Sequence, residues 1–172
     1  FAAALLVGQT WLILIMLAAA REVGKSEVTA ANLRCIGKAM IMYAQDYGAP
    51  SPSPSDLVRS NNCTPKQFLS IGDPAIWERF EPDHLAYSSF TLLPVNAEMD
   101  GEADIIVGFE REPWSRVSLR LLAPHLRCVL FAHGRVERHN QAQFEEALKK
   151  DEARRRELGL PARGINVSES PA

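Results

Sequence analysis

The first 20 residues, FAAALLVGQTWLILIMLAAA, contain no charged side chain, and Arg21 and Glu22 close the run. A helix rises about 1.5 Å per residue, so this stretch reaches about 30 Å, the thickness of a bilayer's hydrocarbon core. A helix that is apolar on every side must be buried all round or lie in lipid, which leaves few soluble folds open. A secretory signal would carry a basic leading region and be removed. Residues 1–20 are therefore read as a transmembrane helix, starting at a Phe1 set by processing rather than by translation. Gly8, Gln9 and Thr10 interrupt the run near its middle. A side-chain amide in lipid needs a partner, and small residues let a second helix come close. Gly8, Gln9, Thr10 and Trp11 are thus the candidate packing surface for another membrane helix, with a lone helix that tolerates one Gln as the alternative. Arg21 and Lys25 follow the span, and counting basic residues alone would place the next domain in the cytoplasm.

No proline occurs between residues 21 and 47. Leu33, Ile36, Met40 and Tyr43 recur at helical spacing, and Val28 and Ala44 extend the stripe. Arg34, Lys38 and Asp46 lie off it. The helix is expected to continue to Tyr47 and stop at Gly48, with Gly24 and Gly37 as points where it could bend. Its outer half needs a cover, and the rest of the chain must supply one. Pro50, Pro52 and Pro54 then favour extended chain. A short helix should open at Asp56 behind a Ser55 cap, and another at Thr64-Pro65.

Residues 85–93 and 105–109 are rich in strand formers. Residues 127–138 read as a hairpin, with Gly134 supplying the positive φ of its turn. Short connections make an antiparallel sheet the natural arrangement. Residues 141–158 are charged and helical, with Glu145–Lys149 and Glu146–Lys150 in favourable order and a narrow apolar strip of Phe144, Ala147 and Leu148. That helix lies on the domain or meets a neighbour. The expected fold is α+β: residues 1–20 in the membrane, 21–48 as a helical extension, 49–139 as a small globular domain, and 140–172 as a charged helix and tail. Its core includes Leu33, Ile36, Met40, Tyr43, Val129 and Phe131, and Trp77 and Phe80 anchor the loop before the sheet.

With 19 basic and 21 acidic side chains, the net charge of -2 gives no reason to expect a nucleic-acid partner. Cys35, Cys63 and Cys128 form no disulfide framework and no zinc-type pair, although a Cys63–Cys128 bridge is open to a domain in an oxidising compartment. His133 and His139 could approach each other beside Glu137, but solvated turn and strand residues are the plainer reading; His84 and His125 stand apart. Asp100, Glu102 and Asp104 lack the full spacing of a calcium loop. Asn62 and Asn166 open glycosylation sequons, which are common by chance. No GxSxG, HExxH, P-loop or GxGxxG motif occurs. Catalytic residues, a metal and a cofactor are not expected.

The order of elements resembles the type IV pilin and type II secretion pseudopilin superfamily, and within it the prepilin-like proteins of planctomycetes. Residues 31–46, ANLRCIGKAMIMYAQD, are similar to that group's NLKQIGLALLMYAQD helix. The Pro/Ser stretch entering Asp56-Leu57-Val58 resembles its PPSLEDLV segment. Residues 129–137, VLFAHGRVE, resemble its terminal VLFADGHVE hairpin, and residues 106–110 the strand before it. The likeness spans roughly residues 1–138. It implies cleavage before Phe1 by a prepilin peptidase, methylation of the new terminus, and a globular domain in the periplasm or outside the cell, the reverse of the charge count. It departs from filament-forming pilins at Leu5, where they carry Glu, in having no helix-breaking proline, and at His133, where the group has Asp. These departures favour a minor pseudopilin, or a pilin-derived subunit recruited elsewhere, over a major polymerising pilin.

The resemblance thus implies a non-catalytic structural subunit in the inner membrane, assembling through its helix with pilins or secretion-system components. The alternative is an accessory subunit of a larger integral membrane complex of respiratory or photosynthetic type. A membrane-anchored enzyme or metal binder is the third reading.

Overall fold

The computed structural model describes residues 2–50, 53–71, 73, 88–95, 99, 101–112 and 126–163, with the backbone alone at 2–6 and 22. Phe1, the Leu5 side chain, Trp77, Phe80, His84, Asp100, Trp114, His125 and the sequon at Asn166 lie outside the described residues, as do 51–52 and the first part of the strand expected at 85–93.

The fold is α+β: a long N-terminal helix, a four-stranded antiparallel sheet and a C-terminal helix. Helix α1 (Ala2–Tyr47) runs unbroken for 46 residues, about 70 Å at 1.5 Å per residue. Gly48 ends it at φ +66°, a left-handed conformation that glycine adopts without a Cβ penalty. Neither Gly24 nor Gly37 interrupts it. Helix α2 (Pro54–Arg59) is capped by Ser53, not Ser55. Pro54 takes the first helical position, where a missing N–H costs nothing and the fixed φ suits a helix. A 3-10 turn (Pro65–Phe68) follows, with the Thr64 N–H donating to Gln67 Oε1 at 2.7 Å.

The strands are β1 (Phe90–Leu92), β2 (Ile106–Glu110), β3 (Arg127–Phe131) and β4 (Val136–His139), in spatial order β1-β2-β3-β4. The β3–β4 hairpin pairs Arg127 with His139 and Leu130 with Val136, and its turn uses Gly134 at φ +85°. Helix α3 (Gln141–Glu157) starts on a reciprocal cap. Asn140 Oδ1 accepts from the Gln143 N–H at 2.9 Å, and Gln143 Oε1 accepts from the Asn140 N–H at 3.0 Å.

The sheet has a helix on each face and therefore two cores. On one face α1 contributes Ala30, Leu33, Ile36, Ala39 and Met40 to a cluster with Val107, Cys128 and Leu130. On the other, α3 sets Phe144, Ala147 and Leu148 against Ile106, Phe109, Val129 and Phe131. Val129 and Phe131 thus belong to a different core from Leu33, Ile36 and Met40, because side chains alternate along β3. Tyr43 sits half-buried at the margin, its ring stacked on Tyr47 at 4.4 Å. Val28 falls outside the stripe assigned to it: it is 45% exposed, and Thr29 and Ala30 are the first residues to bury.

Candidate functional site: the two halves of helix α1

The same helix meets two environments. From Val7 to Val23 its large apolar side chains face outward, Trp11 being 64% exposed and Leu12, Ile13, Leu14, Met16 and Leu17 more than half exposed. This is the one helix among the described residues that is long and apolar enough to cross a membrane. Gln9 and Thr10 lie exposed within it, and a Cβ added at Gly8 would meet nothing within 4 Å. Gly8, Gln9, Thr10 and Trp11 thus lie on the exposed half of α1.

From Thr29 onward the helix is seated on the sheet. A Cβ at Gly37 would lie 2.6 Å from Leu130 Cδ2, so glycine lets α1 approach β3. Opposite it, β2 carries a bulge between Ile106 and Gly108. A bulge breaks the alternation of faces, and both Val107 and Gly108 turn toward α1. A Cβ at Gly108 would meet Leu92 Cδ2 at 3.1 Å and Leu33 Cδ1 at 3.5 Å.

Where α1 leaves the sheet, the seat turns polar. Glu110 is buried; its Oε1 accepts from the Ser70 hydroxyl and its Oε2 from the Cys128 N–H, each at 2.8 Å. Ser70 Oγ in turn lies 3.4 Å from Thr29 Oγ1. This chain of contacts joins α1, the segment after the 3-10 turn, β2 and β3. Burial pushes the Glu110 carboxyl above its ordinary value, while those donors and the Arg127 charge pull it partly back. Arg138 of β4 pairs with Glu27 of α1 nearer the apolar half.

The far face is held by charge. Asp151 and Arg155 are buried. Asp151 Oδ1 accepts from the Ile106 N–H at 2.9 Å, and Arg155 Nη2 donates to the Ile106 carbonyl at 2.8 Å. Arg155 Nε and Arg163 Nε complete the carboxylate's partners at 2.9 and 3.1 Å. Two side chains one turn apart on α3 thereby take both backbone groups of the residue beside the bulge. Arg127 lies with its guanidinium 4.3 Å over the Phe144 ring. The sequence singles out neither Asp151 nor Arg155; their i, i+4 spacing carries no sign of the bulge they serve.

The remaining candidates disperse. His139 Nε2 lies 2.8 Å from Glu137 Oε2 and holds that carboxyl below its usual range, with Arg135 adding to the effect. His133 and His139 both flank the Phe131 ring at 6.0 Å. They line a cleft of about 430 Å³ with Asp104, Glu137 and Lys150. Among the described residues, no three His, Cys, Asp or Glu side chains converge as a metal site requires. Glu102 is paired with Arg154 at 3.0 Å. Glu146 pairs with Lys150 as the spacing predicts, whereas Glu145 accepts from Gln141 instead. Cys63 and Cys128 are buried and free rather than bridged, and Cys35 is exposed. No protein-family model, no curated protein and no solved structure matches the chain.

Proposed function

We propose that this chain is a membrane-anchored, non-catalytic structural subunit of pilin-like build. Residues 1–20 lie in the inner membrane, the globular domain stands in the periplasm or outside the cell, and assembly runs through the helix. The observation that carries this reading is the division of α1: an exposed apolar half continuous, without a break, with a half fixed to a sheet. A free soluble domain gains nothing from so large an exposed apolar surface. A bilayer accommodates it, and Gln9 within it calls for a partner helix. The sequence resemblance to prepilin-like proteins supplies the outward orientation and the processing at Phe1.

The test is native purification from membranes with copy counting. Helical assemblies of identical copies support a pilin-type subunit. One or two copies among unrelated subunits would sink that reading in favour of an accessory role in a larger membrane complex. Intact-mass analysis of the same material should find an N-methylated phenylalanine at Phe1. Gln9→Leu is expected to lower the yield of the assembly several-fold without releasing the chain from the membrane; an unchanged yield removes Gln9 from the packing surface.

A further inference from the structure

Gln9 is exposed in the apolar half of α1, and among the described residues it makes no hydrogen bond. Thr10 beside it does have an interaction within the chain. A free carboxamide at membrane depth is costly, and it is satisfied only by a group that both donates and accepts. The unbroken course of α1 fixes which way Gln9 faces. At about 100° per residue, Ile13, Met16 and Ala20 fall within about 40° of it, and all three are exposed. Leu33 and Gly37, in the middle of the sheet's seat, lie about 120° and about 80° round the helix from Gln9. The line through Gln9 therefore runs clear of the domain.

We propose that a second copy of this chain covers that line, in a parallel two-fold pair with Gln9 opposite Gln9. This names the partner within the membrane reading above and rests on it. Copies anchored in the same direction carry identical residues at identical depth, so the side chain level with Gln9 is another Gln9. A carboxamide is self-complementary. Each Nε2 donates to the other's Oε1, two reciprocal bonds that neither a pair of carboxylates nor a pair of ammonium groups can make. Ala20 keeps the line narrow where the apolar run ends. Farther out, Arg34 and Lys38 return to the same line, each about 20° from it, and both are exposed. Helices in contact at that level would set like charges face to face. The two copies therefore cross near Gln9 and part above it, at the crossing angles of about 20–40° common to membrane helix pairs. Each domain stands to the side of the seam.

The experiment reads oxidative cross-linking of the full chain, reconstituted into phospholipid vesicles at high lipid excess. Cys35→Ser removes the exposed thiol and leaves the buried Cys63 and Cys128. One variant adds Met16→Cys, on the proposed line. Its control adds Leu14→Cys, about 140° round the helix from Gln9 and also more than half exposed. A membrane-permeant oxidant should join the Met16→Cys chains into dimers several times faster than the control. Gln9→Leu added to Met16→Cys is expected to lower that rate about three- to tenfold, and Gln9→Asn, which keeps the amide, to restore part of it. Equal rates at the two positions, or a Met16→Cys rate that Gln9→Leu leaves unchanged, overturns the pair. Alkaline carbonate washing of the same vesicles separates the two readings. Chain that stays with the lipid but does not pair overturns this inference alone; chain that washes off overturns the membrane placement and the pair with it.

Discussion

The two faces of the sheet are held by different physics. Against α1 the contact is made by shape: two glycines, Gly37 and Gly108, remove the bulk that would keep helix and sheet apart, and Leu33, Ile36 and Leu130 fill the space. Against α3 it is made by addressed hydrogen bonds, with Asp151 and Arg155 occupying the backbone groups of Ile106. One bulge serves both. It turns an extra residue toward α1 and leaves Ile106 for α3 to satisfy. Close packing responds to any change in volume, whereas a buried carboxylate responds to the loss of any of its donors. The face joined to the apolar half-helix is the one built from close packing, and the charged face fixes the register of the helix behind it.

The sharpest way to break this contrast is at Asp151. Asp151→Ala strands the Arg155 charge and the Ile106 N–H in a buried site, and should lower the unfolding free energy by about 3–5 kcal/mol. Urea unfolding of the full chain in mild detergent would measure it. Arg155→Met should cost a comparable amount, and the double variant less than the sum, because the two residues act as one unit. Additive losses would dissolve the unit.

On the α1 face, Leu33→Ala should cost about 3 kcal/mol in the same assay, as a fully buried leucine leaves a cavity. Smaller, but more telling, is a glycine pair. Gly24→Ala meets no atom within 4 Å and should stabilise by about 0.5–1 kcal/mol through helix propensity. Gly37→Ala gains the same propensity yet drives a methyl into Leu130, and should come out destabilising by about 1–2 kcal/mol. Equal effects at the two sites would refute close packing as the basis of the seat.

The smallest expected effect concerns Glu110, the acid within the α1 seat. Its folded-state pKa is raised above the ordinary 4.5, so the folded chain holds that proton more tightly than the unfolded one. The stability this gives is fully present below about pH 4.5 and is lost as pH rises through the folded pKa. Thermal melts from pH 4.5 to 7.5 should therefore decline through this range, with a shallower decline in Glu110→Gln. A steeper one would mean that Arg127 and the donated hydrogen bonds outweigh burial.

Much of the architecture was legible in the residues. The unbroken stripe from Leu33 to Tyr43, the stop at Gly48 and the Gly134 turn each depend on local chemistry, and local chemistry is what a sequence displays. The cap of α2 was misplaced because Pro54 was read as a breaker, although proline suits the first helical position. Val28 was assigned to the core because helical spacing says which residues share a stripe, but not where along it the cover begins. Asp151 and Arg155 were not singled out, because i, i+4 charge pairs are ordinary on any charged helix. What buries them is a bulge 45 residues away in the chain (151 minus 106). The candidate site divides in the same way. The exposed apolar half of α1 was plain from composition, while the Thr29–Ser70–Glu110 chain joins residues whose meeting depends on the tertiary fold.

The continuity of α1 has a mechanical consequence. Eight residues, 21–28, separate the apolar run from the first buried residue, a stalk of about 12 Å with no joint. With residues 1–20 held in a bilayer, as proposed above, the domain would work as a pointer fixed to a shaft. Each residue added to the stalk lifts it by about 1.5 Å and swings it through about 100°. In the assembly proposed above, the angle at which one copy presents its sheet to the next would be set by counting residues between lipid and seat, and a single inserted alanine would turn the pointer by more than a quarter of a circle.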